Sequence, residues 1–132
     1  MASTLRGSDN FDTGTGFYTD SDALTLFNAS GSAPVYACRS WVNFYAVGSI
    51  IIRDSGNVSS ITDRGTGLYT VNLTTSMTDN NYATLATAQD ATEGDTRIAH
   101  ARRNDSSSYY ISIERQDGAY RDAEYISSCI FR

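Results

Sequence analysis

Lysine is absent from this 132-residue chain, and all ten basic residues are arginine. Proline and histidine occur once each (Pro34 and His100), cysteine twice (Cys38 and Cys129), and glutamate three times against twelve aspartates. Fifteen acidic against ten basic side chains leave a net charge of −5, which argues against a nucleic-acid partner, because backbone phosphates need a basic face. A lone histidine and two distant cysteines supply too few ligands for zinc, and nothing marks a nucleophile for a Ser-His-Asp arrangement. His100 is therefore expected to be a strand or interface residue. The scarcity of Leu, Glu and Lys removes most good helix formers and excludes a helical bundle. No run approaches the roughly 18 consecutive apolar residues that span a bilayer, so membrane insertion is not expected. Residues 1–9 hold no apolar segment of the kind a secretory leader needs, so synthesis in a cytosol is expected.

What the chain does contain points to strands. Its length suits one domain with a real core. Seventeen serines, fifteen threonines and nine tyrosines, with interspersed Val and Ile, suit a pleated, half-buried surface. Residues 1–33 are polar and glycine-dotted, yet Phe11, Phe17, Tyr18, Leu24 and Phe27 recur through them. Since termini stay disordered unless tied down, these apolar residues predict an extended N-terminal arm that anchors along a partner. From Pro34 onward, short apolar runs alternate with turns. Residues 58–62 and 68–74 flank Asp63-Arg64-Gly65-Thr66-Gly67 and predict a hairpin, with Tyr69, Val71 and Leu73 on one face. Tyr109, Ile111 and Ile113 alternate in the same way. Turns are predicted over 54–57, 79–81 and 103–107, and Asp117-Gly118 signals a further hairpin. About eight strands at short spacing predict an all-β fold, a compact antiparallel β-sandwich over residues 34–132.

Several motifs invite chemistry and fail on context. Asp12-Thr13-Gly14 matches the aspartic-protease tripeptide, but it lies in arm sequence rather than at a buried strand end. Asp9, Asp12, Asp20 and Asp22 do not meet the spacing of a calcium loop, and a solvated acidic arm accounts for them. Gly14-Thr15-Gly16 and Gly65-Thr66-Gly67 lack a phosphate-loop context and are turns. Sequons at Asn28, Asn57, Asn72 and Asn104 follow from the Ser/Thr abundance. Cys38 and Cys129 fall on the first and last core strands; a disulfide is conceivable if those strands are neighbours, and two buried thiols are the commoner arrangement. Arg102-Arg103 is a candidate grip for phosphate or an acidic partner, since arginine suits fixed, bidentate pairing. No metal, cofactor or catalytic residue is expected.

Three ordered segments carry a resemblance: Ala33-Pro34-Val35-Tyr36-Ala37-Cys38-Arg39-Ser40-Trp41-Val42-Asn43-Phe44, then Ile52 through Asp63, then Gly65-Thr66-Gly67-Leu68-Tyr69-Thr70-Val71-Asn72-Leu73-Thr74-Thr75. Over residues 33–85, about two-fifths of the chain, the sequence resembles a small β-domain of tail-fibre and related virion proteins of tailed phages, especially those of marine and cyanobacterial hosts. It departs from that pattern at Tyr45-Ala46-Val47, at Arg64 in the usual Asn-Gly-Thr-Gly turn, and at Leu68 in place of a polar residue. The resemblance implies a non-enzymatic virion structural protein, a short tail fibre or fibre tip, assembling as a homotrimer and contacting other tail proteins and a host cell-surface glycan. A capsid decoration protein bridging major capsid subunits is the alternative. In either case Arg64, Arg103, Asn104, Tyr120 and Arg121 lie on turns that would meet a surface.

Overall fold

The computed structural model describes residues 36–90 and 96–132. The predicted arm, with Phe11, Phe17, Tyr18, Leu24 and Phe27, lies outside the described residues. The described residues form an all-β sandwich of eight strands: β1 (Cys38–Tyr45), β2 (Ile51–Gly56), β3 (Val58–Asp63), β4 (Leu68–Leu73), β5 (Ala83–Gln89), β6 (Arg97–Asp105), β7 (Ser108–Arg115) and β8 (Tyr125–Phe131). One sheet has the order β2-β1-β8-β5 and the other β3-β4-β7-β6, with every pairing antiparallel.

The core follows from period-2 alternation. Val42 and Phe44 of β1, Tyr69 and Val71 of β4, Ile111 and Ile113 of β7, and Ile126 and Ile130 of β8 all point between the sheets and are buried. Each such aliphatic side chain contributes about 1.5–3 kcal/mol on burial. Phe44 and Tyr69 meet edge to face across the sheets, centroids 5.4 Å apart. Buried tyrosines need a partner for the phenol, and each has one. Tyr109 Oη shares a hydrogen bond with Ser128 Oγ at 2.8 Å, and Tyr82 Oη donates to the carbonyls of Asp105 and Ser108 at 2.7 and 2.8 Å.

Four expectations are corrected. The predicted 54–57 turn is mostly strand: Asp54, Ser55 and Gly56 pair with Asn43, Val42 and Trp41, and the chain turns only at Asn57. Asn57 adopts φ 59°, and its amide donates to the Arg39 and Thr75 carbonyls at 3.1 Å each while accepting from Thr75 N–H at 2.8 Å. Side-chain bonding of this kind makes the left-handed conformation tolerable for asparagine. The predicted 103–107 loop contracts to a turn at 106–107, because β6 runs on to Asp105, whose carboxylate collects Ser107 N–H and the hydroxyls of Ser107 and Ser108. At Asp117-Gly118 the chain turns and makes a single bridge, Glu114 to Tyr120, before crossing to the other sheet, so no β7–β8 hairpin forms. Cys38 is exposed and Cys129 half-buried, both as free thiols, so the expected pair of buried thiols is not present. Their strands are neighbours, with Cys38 opposite Phe131 and Trp41 opposite Cys129.

Candidate functional site

Among the described residues no element packs on either outer sheet face, and the two faces differ in chemistry. On the β3-β4-β7-β6 sheet, β4 presents Leu68 and Thr70, β7 presents Tyr110 and Ser112, and β6 presents His100 and Arg102 in cross-strand register. The β3–β4 turn brings Arg64 over the same face. The Arg64 guanidinium lies 4.4 Å, and that of Arg102 5.1 Å, from the Tyr110 ring centroid. Each contact contributes about 0.5–1 kcal/mol at an exposed position. Together with His100, Ser112 and Tyr120 these residues line a cleft of about 190 Å³, with Leu68 on its wall.

The cleft is held open by a clamp beneath it. Asp122 Oδ1 accepts from Gly67 N–H and from Tyr69 Oη, both at 2.7 Å, tying the turn that carries Arg64 to the segment that carries Tyr120. Backbone bonds reinforce the contact: Ile113 N–H donates to the Gly67 carbonyl at 2.8 Å and Arg121 N–H to the Ile113 carbonyl at 3.1 Å. Gly67 has φ +67°, and a Cβ there would stand 2.6 Å from the Ile113 carbonyl oxygen and 2.8 Å from Arg121 backbone atoms, so only glycine fits. Burial, and after it the bond to Asp122, pushes the Tyr69 phenol far above the usual tyrosine range.

The clamp and the register sort the surface residues singled out from sequence. Arg64 and Tyr120 come together in the cleft, and Arg121 sits beside it in the clamped segment. Arg103 and Asn104 follow Arg102 on β6 but do not line the cleft, lying next to the 106–107 turn; Asn104 there donates to Ser108 Oγ at 2.9 Å. Arg102 and Arg103 also point to opposite faces of β6, opposite Tyr110 and Tyr109 respectively, so the dipeptide does not act as one grip. Tyr110, His100 and Ser112 were not assigned to a site from sequence. A tight turn at 106–107 alone would place Arg103 opposite Tyr110; a bulge between Arg103 and Asp105 shifts the register by one residue, so that Arg102 faces Tyr110 and His100 faces Ser112.

The outer face of the β2-β1-β8-β5 sheet is apolar by contrast. Trp41, Cys129 and Leu85 share one register row, and Asn43, Ser127 and Thr87 the next, around a shallow groove of about 440 Å³. Exposure of 53 % for Leu85 and 42 % for Trp41 makes the Trp41–Cys129–Leu85 row an exposed apolar patch, and Ile51, 56 % exposed, lies two rows away beyond the Asn43 row. Gly56 opposes Trp41 and gives the indole its seat, since a Cβ there would lie 2.5 Å from Nε1. Arg53, the extra residue of the β1–β2 bulge, covers the Tyr125 ring at 4.3 Å and the Tyr45 ring at 5.7 Å.

No family model, curated protein or solved structure matches the chain.

Proposed function

We propose that this chain is a non-enzymatic structural protein of a tailed-phage virion, a short tail fibre or fibre tip acting in attachment to the host cell surface. The observation that carries the reading is the Arg64–Tyr110–Arg102 cleft, which stands on a rigid sheet face and is fixed from below by Asp122. A recognition surface needs side chains held in place before the ligand arrives, and sheet register plus the clamp supply that. The resemblance of residues 33–85 to tail-fibre β-domains supports the same assignment. In this reading residues 1–33 anchor the domain to the tail or to sister subunits of a homotrimer.

The exposed apolar patch of Trp41 and Leu85 favours a second reading, a capsid decoration protein whose exposed sheet packs on major capsid subunits. Electron microscopy of the virion, with the copy number, separates the two. Density at the tail tip in multiples of three supports the fibre, whereas density across the capsid surface overturns it. Deleting residues 1–27 should abolish incorporation into virions while leaving the sandwich folded. Sedimentation as a monomer at high concentration would count against the trimer.

A further inference from the structure

Two arginines held over one tyrosine need an explanation in this chain. Arg97 pairs with Asp90 and Arg132 pairs with Asp79, as expected where aspartate is abundant. The guanidiniums of Arg64 and Arg102 have no carboxylate partner among the described residues. None of the described residues that line the cleft carries a carboxylate either. Glu114 stands on the same face one register row farther on, opposite Ile98. Two like charges are thus gathered on one ring with no ion-paired carboxylate among the described residues, and both attract an anion placed between them.

We propose that this cleft binds an oxyanion carried on a sugar, the carboxylate or sulfate of an acidic surface glycan, an inference that rests on the reading of this face as the attachment surface. Guanidinium forks match planar and tetrahedral oxyanions through paired N–H donors, and both forks are already oriented by the Tyr110 ring. The exposed Tyr120 side chain supplies flat apolar surface for a pyranose. Ser112 and His100 add hydroxyl and imidazole groups for ring hydroxyls. About 190 Å³ accommodates one sugar with its charged group rather than a peptide segment. The apolar groove on the other sheet offers no comparable charge, so the acidic group selects this face.

The test is titration calorimetry on the full-length protein with four probes: a uronate oligosaccharide, a sulfated oligosaccharide, a neutral oligosaccharide of equal length, and inorganic sulfate. At least one acidic oligosaccharide is expected to bind, the neutral one not to bind, and inorganic sulfate to bind at least tenfold more weakly. Arg64→Ala and Arg102→Ala should each weaken binding at least tenfold with unchanged circular dichroism, Arg102→Lys less so, and added salt should weaken it further. Equal binding of the neutral sugar, unchanged affinity in the alanine variants, inorganic sulfate binding as tightly as the sugars, or no binding of any probe overturns the inference. Virions carrying both alanine substitutions separate it from the broader reading. Normal adsorption alongside lost binding in the purified protein upholds the cleft and overturns attachment. Impaired adsorption without binding of any acidic sugar upholds attachment and overturns the cleft.

Discussion

Replacing Asp122 by alanine tests whether one carboxylate sets the geometry of the cleft. The substitution removes an ionised acceptor from two donors, the Gly67 N–H and the phenol of Tyr69, a residue only 1 % exposed. Hydrogen bonds to a charged group contribute about 1.5–3 kcal/mol, and a buried donor left without a partner costs about 1–3 kcal/mol. Asp122 itself is half-buried, so water reaches part of the vacated space, and a loss of about 3 kcal/mol is expected. At about 4 °C per kcal/mol for a domain of this size, Tm should fall by about 12 °C. Tyr69→Phe removes one donor and leaves Gly67 bonded, for about 1–1.5 kcal/mol. The double variant should show a coupling of about 1.5 kcal/mol, measured by urea and thermal denaturation under far-UV circular dichroism. Trp41, on the opposite sheet, serves as the control: its native-state fluorescence should not change. Additivity within about 0.5 kcal/mol, or a Tm drop below about 4 °C, would refute the clamp.

Other perturbations probe the rest of the frame. Gly67→Ala forces a side chain into a left-handed position against backbone atoms and should cost at least about 2 kcal/mol, whereas Gly56→Ala meets only the half-exposed Trp41 indole and should mainly shift its emission. The Asp105 carboxyl is held below the ordinary range by the side chain and backbone N–H of Ser107, so its contribution is present above about pH 4 and is lost as pH falls through the lowered value. Asp105→Asn should therefore flatten the acid limb of a stability profile and leave the neutral region lower. Burial pushes the Tyr109 phenol up to about 12, so its contribution is full below about pH 10 and is lost as pH rises toward 12. Absorbance titration should show Tyr69, Tyr82 and Tyr109, all raised by burial, ionising only as the fold opens.

The fold was legible wherever one face of a strand is buried. Tyr69-Val71-Leu73 and Tyr109-Ile111-Ile113 announce both orientation and depth, because period-2 burial writes itself into composition. The misread places share one cause, tertiary partners that local signals do not contain. Asp54-Ser55-Gly56 has turn chemistry, yet β1 recruits it as strand, and Gly56 is needed there for an indole fifteen residues earlier. Asp117-Gly118 forms its turn, but inter-sheet packing decides which strand follows. The candidate site was half legible. Arg64 and Tyr120 stand out as turn residues, while Tyr110 resembles any outward strand tyrosine until register places Arg102 opposite it.

The pairing of the first strand with the last has a mechanical meaning. Cys38 at the start of β1 lies opposite Phe131 at the end of β8, so tension applied across the domain enters and leaves at neighbouring points. Such a load peels the β1–β8 hydrogen bonds one at a time instead of shearing them together, and the sandwich yields early under stretching. The same adjacency lets the unit be spliced into a host loop, or its ends joined and reopened elsewhere, with little distortion. The cost falls on assembly speed, because the central pair of one sheet closes only after nearly the whole intervening chain has been placed.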